Sequence, residues 1–205
     1  MTTKSKGRTK GTSGQSRILE EKELKQVLKF IEIGSHSKRN TSIVILSHYL
    51  GLRSKELSSL KISDVYEDGS IKKVLRLIAS YTKGSKHRDV SLENKVVIKT
   101  ITDFIQERIE EDKSTFSLDS PLFRSQKKTA FSPNSMVRVL CDIYTNAGFK
   151  DATSHSGRRS LITKLAYAGI DLNSIRQIAG HSSISTTQRY IDDNPLKIAD
   201  ILKSI

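Results

Sequence analysis

Five side chains in this chain have the types that phosphodiester chemistry needs: two arginines, two histidines and a tyrosine. They are Arg53, His155, Arg158, His181 and Tyr190. A guanidinium donates two parallel hydrogen bonds to phosphate oxygens and stays charged at every relevant pH, so a pair of them can hold a phosphodiester and stabilise its more negative transition state. A phenol, with a reference pKa of about 10, becomes a nucleophile once a base or a cationic environment assists it. Such a set could cleave a phosphodiester without a metal.

Each of these residues, taken alone, has an ordinary explanation. An arginine after a Gly-Leu helix break is usually a surface charge, and most tyrosines are half-buried on a helix. The remaining tyrosines are interpreted in that way: Tyr49, Tyr66, Tyr81, Tyr144 and Tyr167. The five candidates differ in their order and spacing, with His155 three residues before Arg158 and His181 nine before Tyr190. The combination, and not any one motif, predicts the chemistry.

The apolar pattern predicts a mostly helical domain that positions these side chains. Helices are expected over residues 20–33, 42–50, 56–60, 97–109, 137–147, 158–168, 171–179 and 185–190. Between residues 62 and 92 the β-prone side chains predict strands, with 89–92 pairing back across a polar turn at 83–86. Three glycines fall where helix C-termini need a residue that tolerates positive φ: Gly148, Gly169 and Gly180. The predicted fold class is mainly α with a small antiparallel β-sheet.

The motifs and their order resemble the tyrosine recombinase, or phage integrase, family. The resemblance runs from about Ile18 to the end of the chain, and it rests on four segments: Gly51-Leu52-Arg53-x-x-Glu56-Leu57, Lys83-Gly84-x-Lys86, His155-x-x-Arg158, and Gly180-His181 followed by Tyr190. It implies the tyrosine recombinase catalytic-domain fold over residues 18–205. In this family the last helix, here at about residues 195–205, commonly docks on a neighbouring protomer.

The resemblance also implies a role for each of the five candidate side chains. Tyr190 would be the nucleophile, because it stands at the family's distance from the Gly-His pair. Arg53 and Arg158 would bind the scissile phosphate. His155 would accept the proton of the attacking phenol, and His181 would donate a hydrogen bond to the phosphate.

Further residues match the family's supporting positions. Lys83, in the predicted turn, would be the general acid that protonates the leaving 5′-oxygen, and Lys86 is its rival within that turn. Glu56 would brace the site by fixing an arginine side chain. The second motif departs from the family, which usually has a large apolar residue and then Arg-His. Here Gly157 takes away a packing group, and Arg159 puts a second cation at this position as a candidate phosphate contact.

The charge balance predicts a polyanionic partner. The 205 residues include 35 Lys and Arg against 22 Asp and Glu, which gives a formal net charge of +13. Residues 1–17 contain basic and small polar side chains and no acid, and they are expected to form a flexible basic arm. The candidate DNA-binding residues are Lys4, Lys6, Arg8, Lys10, Lys86, Arg88 and Arg159.

Neither a metal nor a nucleotide cofactor is expected. His36, His48 and His87 lack metal-ligand spacing, and the chain has no Gly-rich phosphate-binding loop. The resemblance implies double-stranded DNA as the partner, a homo-oligomer (dimer or tetramer) on that DNA, and accessory DNA-bending proteins as further candidates. No apolar run approaches the roughly 20 residues of a membrane span, and the single Cys141 suits a reducing compartment. The expected location is the cytoplasm, on the nucleoid, or the nucleus in a eukaryote.

The leading hypothesis is a site-specific DNA recombinase of the integrase or invertase type, encoded by a mobile element. It would act through a covalent 3′-phosphotyrosyl intermediate, without metal or ATP. Because only a basic arm precedes the first predicted helix, the chain looks like a short form without an N-terminal core-binding domain, and the alternative is a fragment cut from a longer protein. Two alternatives stay open: a type IB topoisomerase-like enzyme that relaxes supercoils, and a catalytically silent DNA-binding regulator with the same fold.

Overall fold

The computed structural model describes residues 16–82 and 87–192 of the chain. Within them the helices are α1 (Glu21–Glu32), α2 (Ser37–Tyr49), α3 (Ser54–Ser59), α4 (Ile62–Val65), α5 (Lys95–Asp112), α6 (Pro133–Asn146), α7 (Ser156–Tyr167), α8 (Leu172–Ala179) and α9 (Ile184–Asp192). The strands are β1 (Tyr66–Glu67), β2 (Ser70–Ile71), β3 (Val74–Leu77) and β4 (Arg88–Ser91). The predicted fold class, mainly α with a small antiparallel sheet, is confirmed.

Helix α2 is the central element of the main core. Its residues 42–48 are all buried, and it packs against α1, α5 and α7. A helix that is covered on every side needs no polar face, which explains why its sequence shows no amphipathic period. The α2–α7 contact is close, because a Cβ atom added at Gly157 would lie 2.8 Å from Ser47 Oγ and 3.1 Å from the His48 backbone nitrogen. Gly157 therefore does more than take away a packing group: it lets the two helix backbones approach each other.

The strands form two separate antiparallel hairpins. Strand β3 pairs with β4, with Leu75 opposite Val90 and Leu77 opposite Arg88, and both leucines are buried. The prediction that residues 89–92 pair back on the strand before the turn is thereby confirmed. The shorter hairpin joins β1 to β2.

One part of the predicted strand region is wrong. Residues 62–65 form the short helix α4. The reason is local, because the Asp64 carboxylate accepts a hydrogen bond from the Lys61 backbone N–H at 2.8 Å, as in a capping box. Side-chain capping outweighs the β propensity of Ile62 and Val65 over so short a stretch.

A second, smaller core joins the last three helices. Ile162 and Ala166 of α7 pack against Ile175 and Ala179 of α8, and Tyr190 of α9 packs on this cluster. Helix α8 ends at Gly180, which has φ 61° and lets the chain turn sharply into α9. This small core therefore determines where Tyr190 stands relative to α7.

The chain that leads into α1 is fastened to the start of α7. Ser16 Oγ lies 2.6 Å from Thr153 Oγ1, and the Leu19 backbone N–H donates to Ser160 Oγ at 2.8 Å. Arg17 forms ion pairs with Glu23 and Asp151, although it was predicted to belong to the flexible arm. The rest of the predicted arm and the predicted C-terminal helix lie outside the described residues.

Two further observations concern the described residues alone. No helix among them is long and apolar enough to cross a membrane. Within the same ranges, no group of three or more His, Cys, Asp or Glu side chains could hold a metal ion.

Candidate active site

The five candidate side chains line a single open cavity. Its volume is about 970 Å³, and Arg53, His155, Arg158, His181 and Tyr190 all form part of its wall. They come from four places in the fold: the start of α3, the start of α7, the turn after α8, and α9. The order of the motifs along the chain does not by itself bring the five side chains together. The core that does so is formed by residues elsewhere in the chain.

Arg53 is held by a carboxylate beneath it. Glu56, whose side chain is fully buried, accepts a hydrogen bond from the Arg53 backbone N–H at 2.8 Å and from Nη1 of the same residue at 2.9 Å. The other terminal nitrogen, Nη2, donates to the Gly180 carbonyl at 3.0 Å. These hydrogen bonds hold the Arg53 guanidinium in place, while 20% of the side-chain surface stays exposed at the cavity.

Arg158 is more deeply placed. It is 2% exposed, Nη1 donates to the Gly51 carbonyl at 2.6 Å, and Nη2 donates to the Ala179 carbonyl. Burial lowers the pKa of Arg158, and the charges of Arg53 and Arg88 lower it further. A guanidinium with a normal pKa above about 12 stays charged under this pressure, so the lowered pKa reports a local excess of positive charge.

Arg88 also belongs to this cluster of arginines and lines the same cavity. It was predicted as a DNA contact, yet its side chain is 8% exposed and both terminal nitrogens face protein atoms. Nη2 donates to Glu56 Oε2 at 2.7 Å, and Nη1 donates to the Ile178 carbonyl at 2.5 Å. A signal existed in the sequence, because Arg88 and the buried Val90 are two residues apart and so share one face of β4.

The three arginines meet the same end of one helix. The last carbonyls of an α-helix lack intrahelical partners and carry partial negative charge. At the end of α8, three consecutive carbonyls each accept from a different guanidinium: Ile178 from Arg88, Ala179 from Arg158, and Gly180 from Arg53. The C-terminus of α8 therefore orders all three cations at the cavity wall.

His181 follows directly after this helix end and is buried. Burial lowers its pKa to about 4, and Arg158, Arg53 and Arg88 contribute in the same direction. The ring is therefore neutral at pH 7. Its Nδ1 lies 2.9 Å from the hydroxyl oxygen of Thr187, a fully buried residue of α9 that sequence reasoning did not single out.

Tyr190 and His155 complete the wall. The Tyr190 ring stacks on the His181 ring, with centroids 5.6 Å apart and 13° between the planes. A negative charge on Tyr190 would raise the pKa of Arg158. His155 is exposed at the N-terminus of α7, where its backbone N–H donates to Thr153 Oγ1 at 3.2 Å.

Several predicted residues are not part of this arrangement. Arg159 is buried and does not line the cavity, and its Nη1 donates to the Ser16 carbonyl at 2.8 Å, so its position does not favour the predicted contact with a phosphate held in the cavity. Thr82 and His87, which flank the predicted turn, both line the cavity. Six predicted residues lie outside the described ranges: Lys4, Lys6, Arg8, Lys10, Lys83 and Lys86.

A comparison of sequence families identifies the chain. Residues 17–197 match the phage integrase family over most of the chain's length. The chain belongs to the phage integrase family. The resemblance to tyrosine recombinases and the predicted catalytic-domain fold are thereby confirmed.

Curated relatives and solved structures agree with this membership. Tyrosine recombinase XerA of Pyrococcus furiosus is 33% identical over 167 residues, which are 80% of this chain and 54% of the relative. Tyrosine recombinase XerD of Oceanobacillus iheyensis is 28% identical over 192 residues, which are 91% of this chain and 61% of the relative. A crystal structure of XerA recombinase superposes with a TM-score of 0.74 at 27% identity and covers 94% of this chain and 66% of that one.

A DNA complex is among the similar structures. XerH site-specific recombinase, bound to its difH substrate in a pre-cleavage complex, has a TM-score of 0.66 at 25% identity, with 89% of this chain and 52% of that chain covered. The chain spans about half the length of the curated relatives it matches.

Proposed function

We propose that this phage integrase family chain is the catalytic part of a site-specific DNA recombinase. It would cleave and religate double-stranded DNA through a covalent bond between Tyr190 and a DNA 3′-phosphate. The observation that carries the proposal is the single cavity whose wall contains Arg53, Arg158, His155, His181 and Tyr190. Family membership and the similarity to named tyrosine recombinases support the same conclusion.

The cavity supplies the electrostatic part of the reaction. A phosphodiester that enters it meets Arg53 and Arg158, whose guanidinium groups are already oriented by Glu56 and the end of α8. Charge grows on the non-bridging oxygens as the pentavalent transition state forms. Preorganised donors stabilise that charge, and removal of one such donor typically costs about 100-fold to 1000-fold in rate.

His181 would act as a neutral hydrogen-bond donor. When the Thr187 hydroxyl donates to Nδ1, the ring proton resides on Nε2 and is available to a phosphate oxygen. Burial, and then the cationic surroundings, keep the ring neutral, so it supplies a directed hydrogen bond and adds no further charge. Its stacking on Tyr190 links the position of this donor to that of the nucleophile.

The bond changes balance without a cofactor. The Tyr190 phenol oxygen forms a bond to phosphorus, the bond from phosphorus to the 5′-oxygen breaks, and the phenolic proton passes to His155. Lys83 is the proposed donor of the proton that the leaving 5′-oxygen takes up. A 5′-hydroxyl of the partner strand then attacks the phosphotyrosine, which restores the phosphodiester and the free phenol. The energy of the backbone bond is kept in the intermediate, so neither ATP nor a metal is required.

The assembly and the location follow as part of the proposal. Strand exchange needs two duplexes, so we expect a dimer or tetramer on DNA, with accessory DNA-bending proteins at some sites. DNA affinity would fall steeply with salt, because the cationic surface releases counterions when it binds phosphates. An enzyme with this substrate would work on the bacterial nucleoid, or in the nucleus of a eukaryote.

The test uses nicked duplexes tiled from the DNA that flanks the gene. After incubation and denaturation, wild-type protein is expected to carry covalently attached DNA, and Tyr190→Phe is expected to carry none. Tyr167→Phe is the matched control, because Tyr167 is 46% exposed on α7 and does not line the cavity. Absence of an adduct with the wild-type protein, or an adduct that survives Tyr190→Phe, would overturn the proposal.

A further inference from the structure

Arg88, which also lines the cavity, closes a ring of hydrogen bonds at the cavity wall. Glu56 Oε1 accepts from Arg53, and Glu56 Oε2 accepts from Arg88. Arg88 then donates to the Ile178 carbonyl, and Arg53 donates to the Gly180 carbonyl two residues further along the chain. The ring therefore joins three parts of the fold, namely α3, strand β4 and the end of α8.

We propose that Arg88 is a positioning residue of the recombinase reaction, which holds Glu56 and the end of α8 together and so sets the geometry of Arg53 and His181 without itself contacting DNA. The inference rests on the proposed function of the preceding section. It replaces the expectation that Arg88 binds DNA directly.

The first support is that both terminal nitrogens of Arg88 already donate to protein acceptors. Its side chain is 8% exposed, and its two terminal nitrogens donate to a carboxylate and to a backbone carbonyl. Its Nε is buried and has no hydrogen-bond partner among the described residues. If Nη2 turned from Glu56 to a phosphate, Oε2 of this fully buried carboxylate would keep only the Arg53 backbone N–H, and a buried charge that loses a partner is costly.

The second support is the packing of Arg88 against the helix end. A Cβ atom added at Gly180 would lie 2.7 Å from Arg88 Cδ and 3.0 Å from its Nε. The Gly180 backbone therefore rests directly on the Arg88 side chain. This contact therefore also positions the next residue, His181, whose Nδ1 lies beside the hydroxyl of Thr187 in α9.

The third support is the division of the Glu56 carboxylate between two arginines. Without Arg88, Oε2 would keep only the Arg53 backbone N–H, and the carboxylate would be held from one side. Arg53 would still be charged and still present, but its guanidinium would be less well fixed. A misplacement of about 1 Å in a catalytic group can cost on the order of 100-fold in rate.

The experiment compares Arg88→Lys and Arg88→Ala with the wild-type protein. Single-turnover formation of the covalent adduct is measured at saturating DNA, together with the DNA dissociation constant at several salt concentrations. We expect the maximal rate to fall about 100-fold in Arg88→Ala, with the affinity and its salt dependence unchanged. Arg88→Lys keeps the charge but has one nitrogen for two acceptors, so we expect a smaller loss in the same direction.

The matched control is Arg76→Ala. Arg76 lies on β3 of the same hairpin, its side chain is 73% exposed, and it pairs with Asp89. This variant removes the same charge from the same hairpin without touching the ring of hydrogen bonds, so its maximal rate should equal that of the wild type. Thermal unfolding of every variant confirms that the rates belong to folded protein.

Two measurements separate positioning from a general loss of structure. The double variant Arg88→Lys with Glu56→Gln should lose no more rate than the worse single variant, because both changes act through one carboxylate. The Nε–H and Nη–H NMR signals of Arg53, identified by their loss in Arg53→Lys, should broaden in Arg88→Lys without any DNA present.

The outcomes are distinguishable. An unchanged maximal rate in Arg88→Ala, or a loss confined to DNA affinity with a shallower salt dependence, overturns the positioning role and returns Arg88 to DNA contact. Additive losses in the double variant also overturn it. If the wild-type protein forms no adduct at all, the proposed function fails, and the NMR signals of Arg53 then decide whether Arg88 orders that side chain.

Discussion

Two clusters of buried and half-buried arginines among the described residues differ in their charge balance. The first lies at the end of α5, where Arg108 donates to Asp112 at 2.9 Å and Arg124 pairs with both Asp112 and Glu111. The remaining donors of Arg108 reach the Pro121 and Leu122 carbonyls at 2.9 and 2.7 Å. Two cations face two carboxylates in this cluster, and it does not border the cavity.

The second cluster lies at the cavity and is unbalanced. Glu56 is the carboxylate of this cluster and accepts from Arg53 and Arg88, whereas the hydrogen bonds of Arg158 go to the Gly51 and Ala179 backbone carbonyls. The positive excess also contributes to the lowered pKa of His181. Burial is the larger cause, and the charges of these three arginines lower the pKa further.

Under the proposed function, the difference separates a structural use of arginine from a functional one. In a balanced cluster, the guanidinium joins two segments and its charge is neutralised by the protein itself. In an unbalanced cluster, helix-end carbonyls give partial compensation only, so an anion that enters the cavity completes the charge balance. Perturbed ionisation beside a cavity is a recognised mark of functional sites.

The largest expected effect comes from Arg158 in the unbalanced cluster. Arg158→Ala should lower the single-turnover cleavage rate about 10⁴-fold, because one guanidinium supplies two donors at about 2.7 kcal/mol or more each. The neighbouring Arg159→Ala is the matched control, since Arg159 is also buried on α7 but faces Ser16. Equal losses in the two variants would contradict the distinction between cavity and framework arginines.

A change in the balanced cluster should affect stability instead. Arg108→Met should lower the free energy of unfolding by about 3–5 kcal/mol, because it breaks a buried ion pair and leaves two carbonyls without a donor. Urea denaturation measures this effect, and cleavage per folded molecule should hardly change. Lys99→Met on the same helix removes an exposed pair with Asp103 and should cost less than about 1 kcal/mol. A large cleavage defect in Arg108→Met would show that the two clusters are not separate in function.

The pH dependence of stability should report the two buried histidines. Burial lowers the pKa of both His48 and His181 to about 4, below their unfolded value of about 6.5. Between these values the unfolded chain binds more protons, so stability falls as the pH drops from about 6.5 to 4 and is insensitive to these groups above that range. We expect a loss of roughly 2 kcal/mol for each histidine in this window. His48→Asn should remove about half of that loss, and an unchanged pH profile in this variant would contradict the assignment.

The smallest effect is expected at the contact between α2 and α7. Gly157→Ala would place a methyl group 3.1 Å from the His48 backbone nitrogen and 2.8 Å from Ser47 Oγ. Overpacking of this kind costs about 1–3 kcal/mol, and the better helix propensity of alanine offsets about 1 kcal/mol of it. Thermal unfolding measures the net loss, and Ser47→Gly in the same background should recover part of it. A Gly157→Ala protein that is more stable than the wild type would show that the helices have room to separate.

The sequence was sufficient for features that depend on neighbouring residues. The helices α5 to α9 follow from short-range apolar periodicity and from residues that suit helix ends, such as Asp171 before α8 and Gly180 after it. The five cavity residues were also named in advance, because their motifs keep the family's order. Hairpin pairing of β3 with β4 followed from β-prone residues on either side of a polar turn.

Only the tertiary structure decided how these parts act on one another. Arg88 and Ile178 are joined by a hydrogen bond although 90 positions separate them, and no local pattern encodes such a contact. No local pattern encodes the close approach of Gly157 to α2 either, or the hydrogen bond from Arg159 to the Ser16 carbonyl. Motif and periodicity are properties of adjacent residues, whereas burial and charge balance arise from every segment that meets at one place. The residue types for the chemistry could therefore be identified from the sequence, whereas their common electrostatic environment was created by folding.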